Sequence, residues 1–534
     1  MGQQGALVIM RHSLQTYLMT QKNLLEQRVK EKVFGPIGFG FSAQNLFLVR
    51  YLSLLVGAIA LSYPCFAKVY DWVPLHSDDI QMISNPNVEA EYRIELAKRA
   101  KSTLDIVIFD QRVDDGLGKP FLRAIKQAAD RGVKVRYMTA WVGMALRDPM
   151  NRTKNFLVRP LPLFPIDYHS IGGTEMWKKG WGYLDGIHEK LFIVDNQWVL
   201  ITGRGHASDY LKWLDTCFLM KGKLVEQAQE AYDQLWNTAE RETGRNQTDT
   251  PKESSLSDKQ SQEISQRLRA GAPIADVTKD PPVILSQSDL LDLSRLLIWT
   301  DQKSIDPNQD ERMGDVYSAR LLHHDLLDQM RAVVDEKGGS PSKYDWNWRV
   351  ENLYDPIVEE LIKLSQEAKD FRYYSLSTNL NPKLKKALLH QLRNGLALKI
   401  FTNSKLAHTW IVPMKIPMGW YAGLSDLDDL LSEGAVAYGL IPSDINSSLF
   451  LHRKVAVIDD TVIFGSHNFN FASTVESDEM SIEVRGVKFA DQVRKLFDDD
   501  AKNKGEPLDP LVIHQDRVRS GFHRWLSQYF SGLY

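Results

Sequence analysis

Cysteine is almost absent. Cys65 and Cys217 are the only two in 534 residues, so no disulfide framework can brace the fold and its stability must come from apolar burial alone. An excess of one charge is missing as well: 65 Lys and Arg against 68 Asp and Glu leave a formal net charge of -3. That balance gives no global pull toward nucleic acid, although a local basic groove can sit in a near-neutral chain. Long apolar runs are scarce too. The clearest is Tyr51–Tyr63, preceded by Arg50 and followed by Pro64-Cys65-Phe66-Ala67, the order of a basic start, apolar stretch and small-residue exit of a secretory signal. Cleavage after Ala67 would remove Cys65. The alternatives are an uncleaved anchor that adds Leu46–Val49, and a buried core helix.

What is present is a repeat. His188-Glu-Lys190 with Asp195, and His452-Arg-Lys454 with Asp459, both read H-x-K-x-x-x-x-D. At ordinary residue frequencies one such match is expected in roughly one chain in twenty-five of this length, so two are not chance. Strand alternation puts His and Lys on one face, two residues apart, while Leu191–Val194 and Val455–Ile458 bury each strand in a sheet. Two such strands at one cleft would present two imidazoles and two ammonium groups to a shared anion. The same alternation turns Asp195 and Asp459 away from His and Lys, toward a structural place.

The surroundings repeat in the same order. A helix near 89–100, a strand near 104–109, a helix over 120–130, the turn Arg131-Gly132 and a strand at 133–138 are matched by 357–368, 371–376, 382–393, Asn394-Gly395 and 396–401. Helix, strand, helix, Gly turn, strand is the order of a β/α unit, and an internal duplication follows. An amphipathic helix closes each unit, through Ala228, Tyr232 and Leu235, then Phe489, Val493 and Phe497. The expected organisation is residues 1–67 as an N-terminal extension with signal or anchor, 68–237 as the first unit and 238–282 as a polar linker. Residues 283–500 form the second unit and 501–534 an amphipathic tail.

These residues carry a resemblance. Paired H-x-K-x4-D motifs, with Gly465-Ser466-His467-Asn468 after the second, resemble the phospholipase D superfamily, and within it the bacterial cardiolipin synthase and phospholipase D-like branch; the likeness covers roughly residues 88–500. It implies an α/β fold of two duplicated domains, each a mixed β-sheet flanked by helices, packed as a pseudo-two-fold pair with one active site between them. It implies a phosphodiesterase that works through a phosphohistidine without a cofactor or metal, with His188 as nucleophile and His452 as acid and base. The expected partners are a phospholipid membrane surface, a glycerophospholipid and a water or alcohol acceptor, for a bacterial monomer that is exported, periplasmic or membrane-associated.

The chemistry fits those side chains. A phosphodiester anion needs its oxygens neutralised, a nucleophile and a protonated leaving group. Lys190 and Lys454 supply charge, Asn468 and Ser466 further donors, and the histidines the two transfer roles. Each histidine needs a carboxylate on its second ring nitrogen. Asp215 and Glu479 each stand 27 residues beyond their motif histidine (215 minus 188, 479 minus 452), and the resemblance implies that each acid contacts the histidine of the opposite motif. Trp177, Lys179 and Trp181 are an aromatic and basic lip for headgroups, or packing. Residues 410–421 are domain-interface core or a membrane-dipping loop. Three places depart from the family pattern: Gly205 stands where an asparagine is usual, Ala472 where an arginine is usual, and Ser477 where an asparagine precedes the acid. Nuclease activity and a catalytically weakened membrane-binding protein are the alternative readings.

Overall fold

The structure is a computed structural model that describes residues 67–109, 116–140, 167–171, 186–243, 285–302, 315–339, 344–407, 418–442, 449–521 and 523–524. The segment 46–66, residues 244–284 and residues 525–534 lie outside the described residues.

Two mixed sheets repeat one strand order. In the first, Cys217–Met220, Trp198–Thr202, Leu191–Val194, Thr103–Ile108, Lys134–Ala140 and Asp167–Ile171 are successive neighbours. In the second, Ser477–Arg485, Thr461–Gly465, Val455–Ile458, Asp370–Ser375, Ala397–Asn403 and Val436–Leu440 follow in the same order. In both, three strands run parallel and the motif strand enters antiparallel to the first of them, with Leu104 opposite Val194 and Phe371 opposite Ile458. The motif strands are buried along their whole length, as strands covered on both faces must be.

Local chemistry sets the helix starts. Pro86–Arg99, Pro356–Ser365, Pro382–Arg393 and Pro510–Arg519 each begin with proline after an Asn or Asp whose side chain accepts first-turn N–H groups. Proline has no N–H to leave unpaired there, and each cap is worth about 1 kcal/mol. The turns before the second parallel strands use Gly132 and Gly395 at φ of 90° and 95°, a left-handed backbone that costs other residues energy.

The halves share a core. Lys223–Thr243 and Val487–Lys504 pack in one apolar cluster with residues of both sheets, and Phe218 stacks on Phe464 at 3.8 Å between centroids. Pro86–Arg99 and Gly118–Asp130 cover the outer face of the first sheet, and Pro356–Ser365, Pro382–Arg393 and Met418–Ser432 that of the second, each group with its own apolar cluster. Elements also cross the expected boundaries. Lys68–Val69 and Val73–His76 pair with Val316–His324 in the second sheet, whereas Gln287–Asp301 sends Leu293 and Trp299 into the first half's outer core. The helix that closes the first unit continues to Thr243, past the expected linker start at 238. Trp420 and Tyr421 are buried in the second half's core, so that end of the 410–421 stretch is packing; residues 410–417 lie outside the described residues.

Candidate active site

Short ladders between the halves assemble the site. Gly186–Ile187 pairs with Ser477–Asp478, and Trp213–Leu214 pairs with Phe450–Leu451. The first brings His188 beside Glu479, and the second brings His452 beside Asp215. His188 Nδ1 lies 2.9 Å from Glu479 Oε1, and His452 Nδ1 lies 2.9 Å from Asp215 Oδ2. Each acid therefore serves the histidine of the other half.

The lysines follow their histidines on the same face. Lys190 Nζ donates to the His188 carbonyl at 2.6 Å, and Lys454 Nζ donates to the His452 carbonyl at 2.9 Å. Lys454 also stands 2.9 and 3.1 Å from Nδ1 and Nε2 of His452. Because Nδ1 donates to Asp215, the lone pair open to Lys454 is the one on Nε2. His188 Nε2 has no hydrogen-bond partner among the described residues. The site is thus asymmetric: one histidine is covered by its lysine and the other presents a free nitrogen.

Burial sets the charges. Desolvation lowers His188 to about 4, with Lys190 and Lys454 pushing the same way against Glu479. It lowers His452 to about 3, with Lys454 adding to burial and Asp215 opposing it. Burial also brings Lys454 down to about 7, although Asp215 and Glu479 favour its cation. Burial opposes the charged forms of Asp215 and Glu479, yet Lys454 and His452 around the first, and His188 and His467 around the second, hold both carboxyls at about 2. Near neutral pH each imidazole is neutral, donating from Nδ1 to an ionised acid.

The acids are held from behind. Arg204 donates to the carbonyls of Trp213 and Asp215 and, with Arg93, clasps Glu89, which also accepts from the Thr202 hydroxyl at 2.7 Å. In the other half Asp355 accepts from the Thr474 hydroxyl and faces His467 Nε2 at 3.1 Å. No spacing pattern announces Glu89 or Asp355, since each lies far along the chain from the motif it supports.

Ser466 occupies a different place from the one expected. Its hydroxyl donates to Glu479 Oε2 and accepts the Met480 N–H at 3.0 Å. One hydroxyl carries one hydrogen, so Ser466 positions the acid and does not donate to a phosphate here. Asn468 is held by its backbone N–H on Ser473 Oγ, and its buried Oδ1 has no hydrogen-bond partner. Gly205 offers only backbone, and its carbonyl accepts from Arg93 at 3.1 Å. Asp195 and Asp459 sit in left-handed turns at φ of 53° and 45° and accept the N–H groups of residues 101–103 and 369–370. They tie the turn that ends each motif strand to the start of the neighbouring strand, Thr103–Ile108 or Asp370–Ser375. Trp177, Lys179 and Trp181 lie outside the described residues.

Residues 358–501 match the family described as cardiolipin synthase, PLD-like domain. The fold is similar to that of phosphatidylserine synthase from Haemophilus influenzae Rd KW20, with a TM-score of 0.56 at 13% identity, over 87% of this chain and 97% of that one. The match over residues 358–501 and the fold together support the phospholipase D superfamily. Its sequence is 24% identical over 447 residues to an uncharacterized protein of Helicobacter pylori (strain ATCC 700392 / 26695), covering 80% of this chain and 79% of that protein. The corresponding protein of strain J99 is similar to the same extent.

Proposed function

We propose that this member of the phospholipase D superfamily is a phosphodiesterase of glycerophospholipids that works through a phosphohistidine on His188. The observation that carries the reading is the crossed pairing of each histidine with the opposite half's acid, together with a His188 Nε2 that has no hydrogen-bond partner among the described residues. The phosphodiester oxygens would lie between Lys190 and Lys454, with the Asn468 amide as a further donor. His188 Nε2 attacks phosphorus while Glu479 holds Nδ1–H, so a P–N bond forms as the P–O bond to the headgroup alcohol breaks. The incoming anion draws Lys454 off Nε2 of His452 and favours the imidazolium, which gives its proton to the departing oxygen. Water or an alcohol then loses a proton to His452, attacks phosphorus and releases His188. Water yields phosphatidic acid; an alcohol such as phosphatidylglycerol yields the transfer product of a cardiolipin synthase-like reaction. A membrane-surface substrate accords with the signal or anchor proposed at residues 46–67.

Mass spectrometry of products from phosphatidylglycerol and phosphatidylethanolamine vesicles tests this on the purified chain from Lys68 onward. Phosphatidic acid or cardiolipin should form and fall by ~10³-fold or more in His188→Ala and His452→Ala. Lipid binding without turnover, unchanged by His188→Ala, would instead favour the weakened binding protein that Gly205 motivates, and turnover confined to oligonucleotides would favour a nuclease.

A further inference from the structure

Behind the His188–Glu479 pair lies a second group of titratable side chains that the reaction does not use. Glu189 and Asp478 are the chain neighbours of His188 and Glu479, and alternation turns them to the opposite side of the paired segments 186–187 and 477–478. There they meet His323, Asp325 and Asp328 from the strand and helix Val316–Lys337. All five are buried, with Asp325, Asp478 and His323 at 0% exposure. Both oxygens of Glu189, Oδ2 of Asp478 and both ring nitrogens of His323 have no hydrogen-bond partner. The nearest approach is His323 Nε2 to Glu189 Oε1 at 3.7 Å, an ion-pair distance too long for a hydrogen bond.

Other groups face the cluster from every side. The helix Lys223–Thr243 sends Gln234 to Asp325 at 2.8 Å and Thr238 to Asp328 at 2.9 Å. Arg331 pairs with Asp328 at 2.8 Å from a partly exposed position. Tyr70, whose buried hydroxyl has no hydrogen-bond partner, is pushed up by burial, by Glu230 and by Asp325. Four carboxylates thus face one imidazole and one rim guanidinium. Full ionisation would leave buried negative charge uncompensated, which costs several kcal/mol per ion. The equivalent position in the second half has no such problem: Arg453 there is paired with Asp500 and the Tyr374 hydroxyl.

The seam also joins the halves. Glu189 and the Gln234 and Thr238 side chains come from the first half; His323, Asp325, Asp328 and Asp478 come from the second. We propose that His323, Asp325 and Asp478, packed against Glu189, form a proton-loaded latch, in which protons bound by these three groups hold the halves together and their loss at rising pH loosens the contact that carries His188 and Glu479. Burial and the neighbouring carboxylates raise Asp325 to about 7 and Asp478 well above its usual range, and Glu189 and Asp325 raise His323 against the effect of burial. For an acid or a histidine whose folded pKa is raised, the folded state binds the extra proton, so stability is lost as pH rises through the folded value. All three shifts have this sign, and the window opens near neutrality.

Thermal melts of the full chain at about pH 6 and about pH 8.5 test the latch without reference to catalysis. The wild-type chain should lose several degrees of Tm between them. Asp478→Asn should lose much less, because its Oδ1 keeps the 2.8 Å bond from the Leu327 N–H while the amide N–H replaces the proton. Hydrogen exchange read at the N–H groups of Gly186 and His188, which bond across the seam to residues 476 and 478, should speed up with pH beyond the intrinsic rate in the wild type and not in the variant. An equal Tm loss in Asp478→Asn and wild type overturns the proposal, as does a wild-type Tm that is flat across the range. Should Asp478→Asn fail to fold, Asp325→Asn carries the same expectation, and failure of both at about pH 6 also overturns it.

Discussion

At the scale of the residue, the two histidines differ in what covers their Nε2. Lys454 lies 3.1 Å from that atom of His452, whereas among the described residues His188 keeps its nitrogen free. The same lysine is the group whose charge is most easily lost. Burial lowers it to about 7, so below that pH the free protein carries the cation that receives a phosphodiester, and above it the cation disappears. Calorimetric affinity for a non-hydrolysable phosphodiester should therefore weaken as pH rises through about 7, well above the range of about 3 to 4 in which the two histidines lose their charge. In Lys454→Arg, whose guanidinium stays protonated throughout, that alkaline weakening should vanish even if the affinity itself is poorer. An unchanged alkaline limb in the arginine variant would place the titration elsewhere.

At the scale of the element, close strand approach sets the acids. A Cβ on Gly203 would stand 2.3 Å from Asp215 Oδ2, and one on Gly465 would stand 2.2 Å from the Met480 carbonyl. The two clashes differ in kind. Gly203→Ala should displace a side chain and cost ~10²-fold or more in kcat, with a near-normal Tm, because it undoes the hold on His452 as loss of an orienting carboxylate would. Gly465→Ala pushes one backbone against another and should cost about 1–3 kcal/mol of stability in a denaturation curve. These elements were legible in the sequence where the cause was local. The Gly132 and Gly395 turns and the buried runs after each motif announce themselves within a few residues, and the repeated 27-residue interval marked Asp215 and Glu479. Glu89, Asp355 and the turn of Ser466 toward Glu479 depend on tertiary neighbours, and no local pattern encodes them.

At the scale of the whole molecule, duplication has not produced two separable bodies. Residues 68–76 complete the second sheet by pairing with Val316–His324, and Gln287–Asp301 closes the first half by burying Leu293 and Trp299. These crossings were illegible because the repeat marks where each unit lies and not which sheet a flanking strand joins; hydrogen-bonding groups at a sheet edge accept any strand that arrives with the right alternation. The site has the same dependence, since each histidine takes its acid from the other half. A chain opened by an engineered protease site within residues 244–284 should consequently elute as one complex of two fragments, held by the shared core around Phe218 and Phe464. Residues 68–243 expressed alone should be insoluble or unfolded, because they would expose that core and leave four short strands, Lys68–Val69, Val73–His76, Gly186–Ile187 and Trp213–Leu214, without a partner. Co-expression with residues 285–534 should restore both solubility and histidine-dependent turnover. A soluble, cooperatively melting first fragment would show that the exchange of strands and helix is decoration on two independent domains.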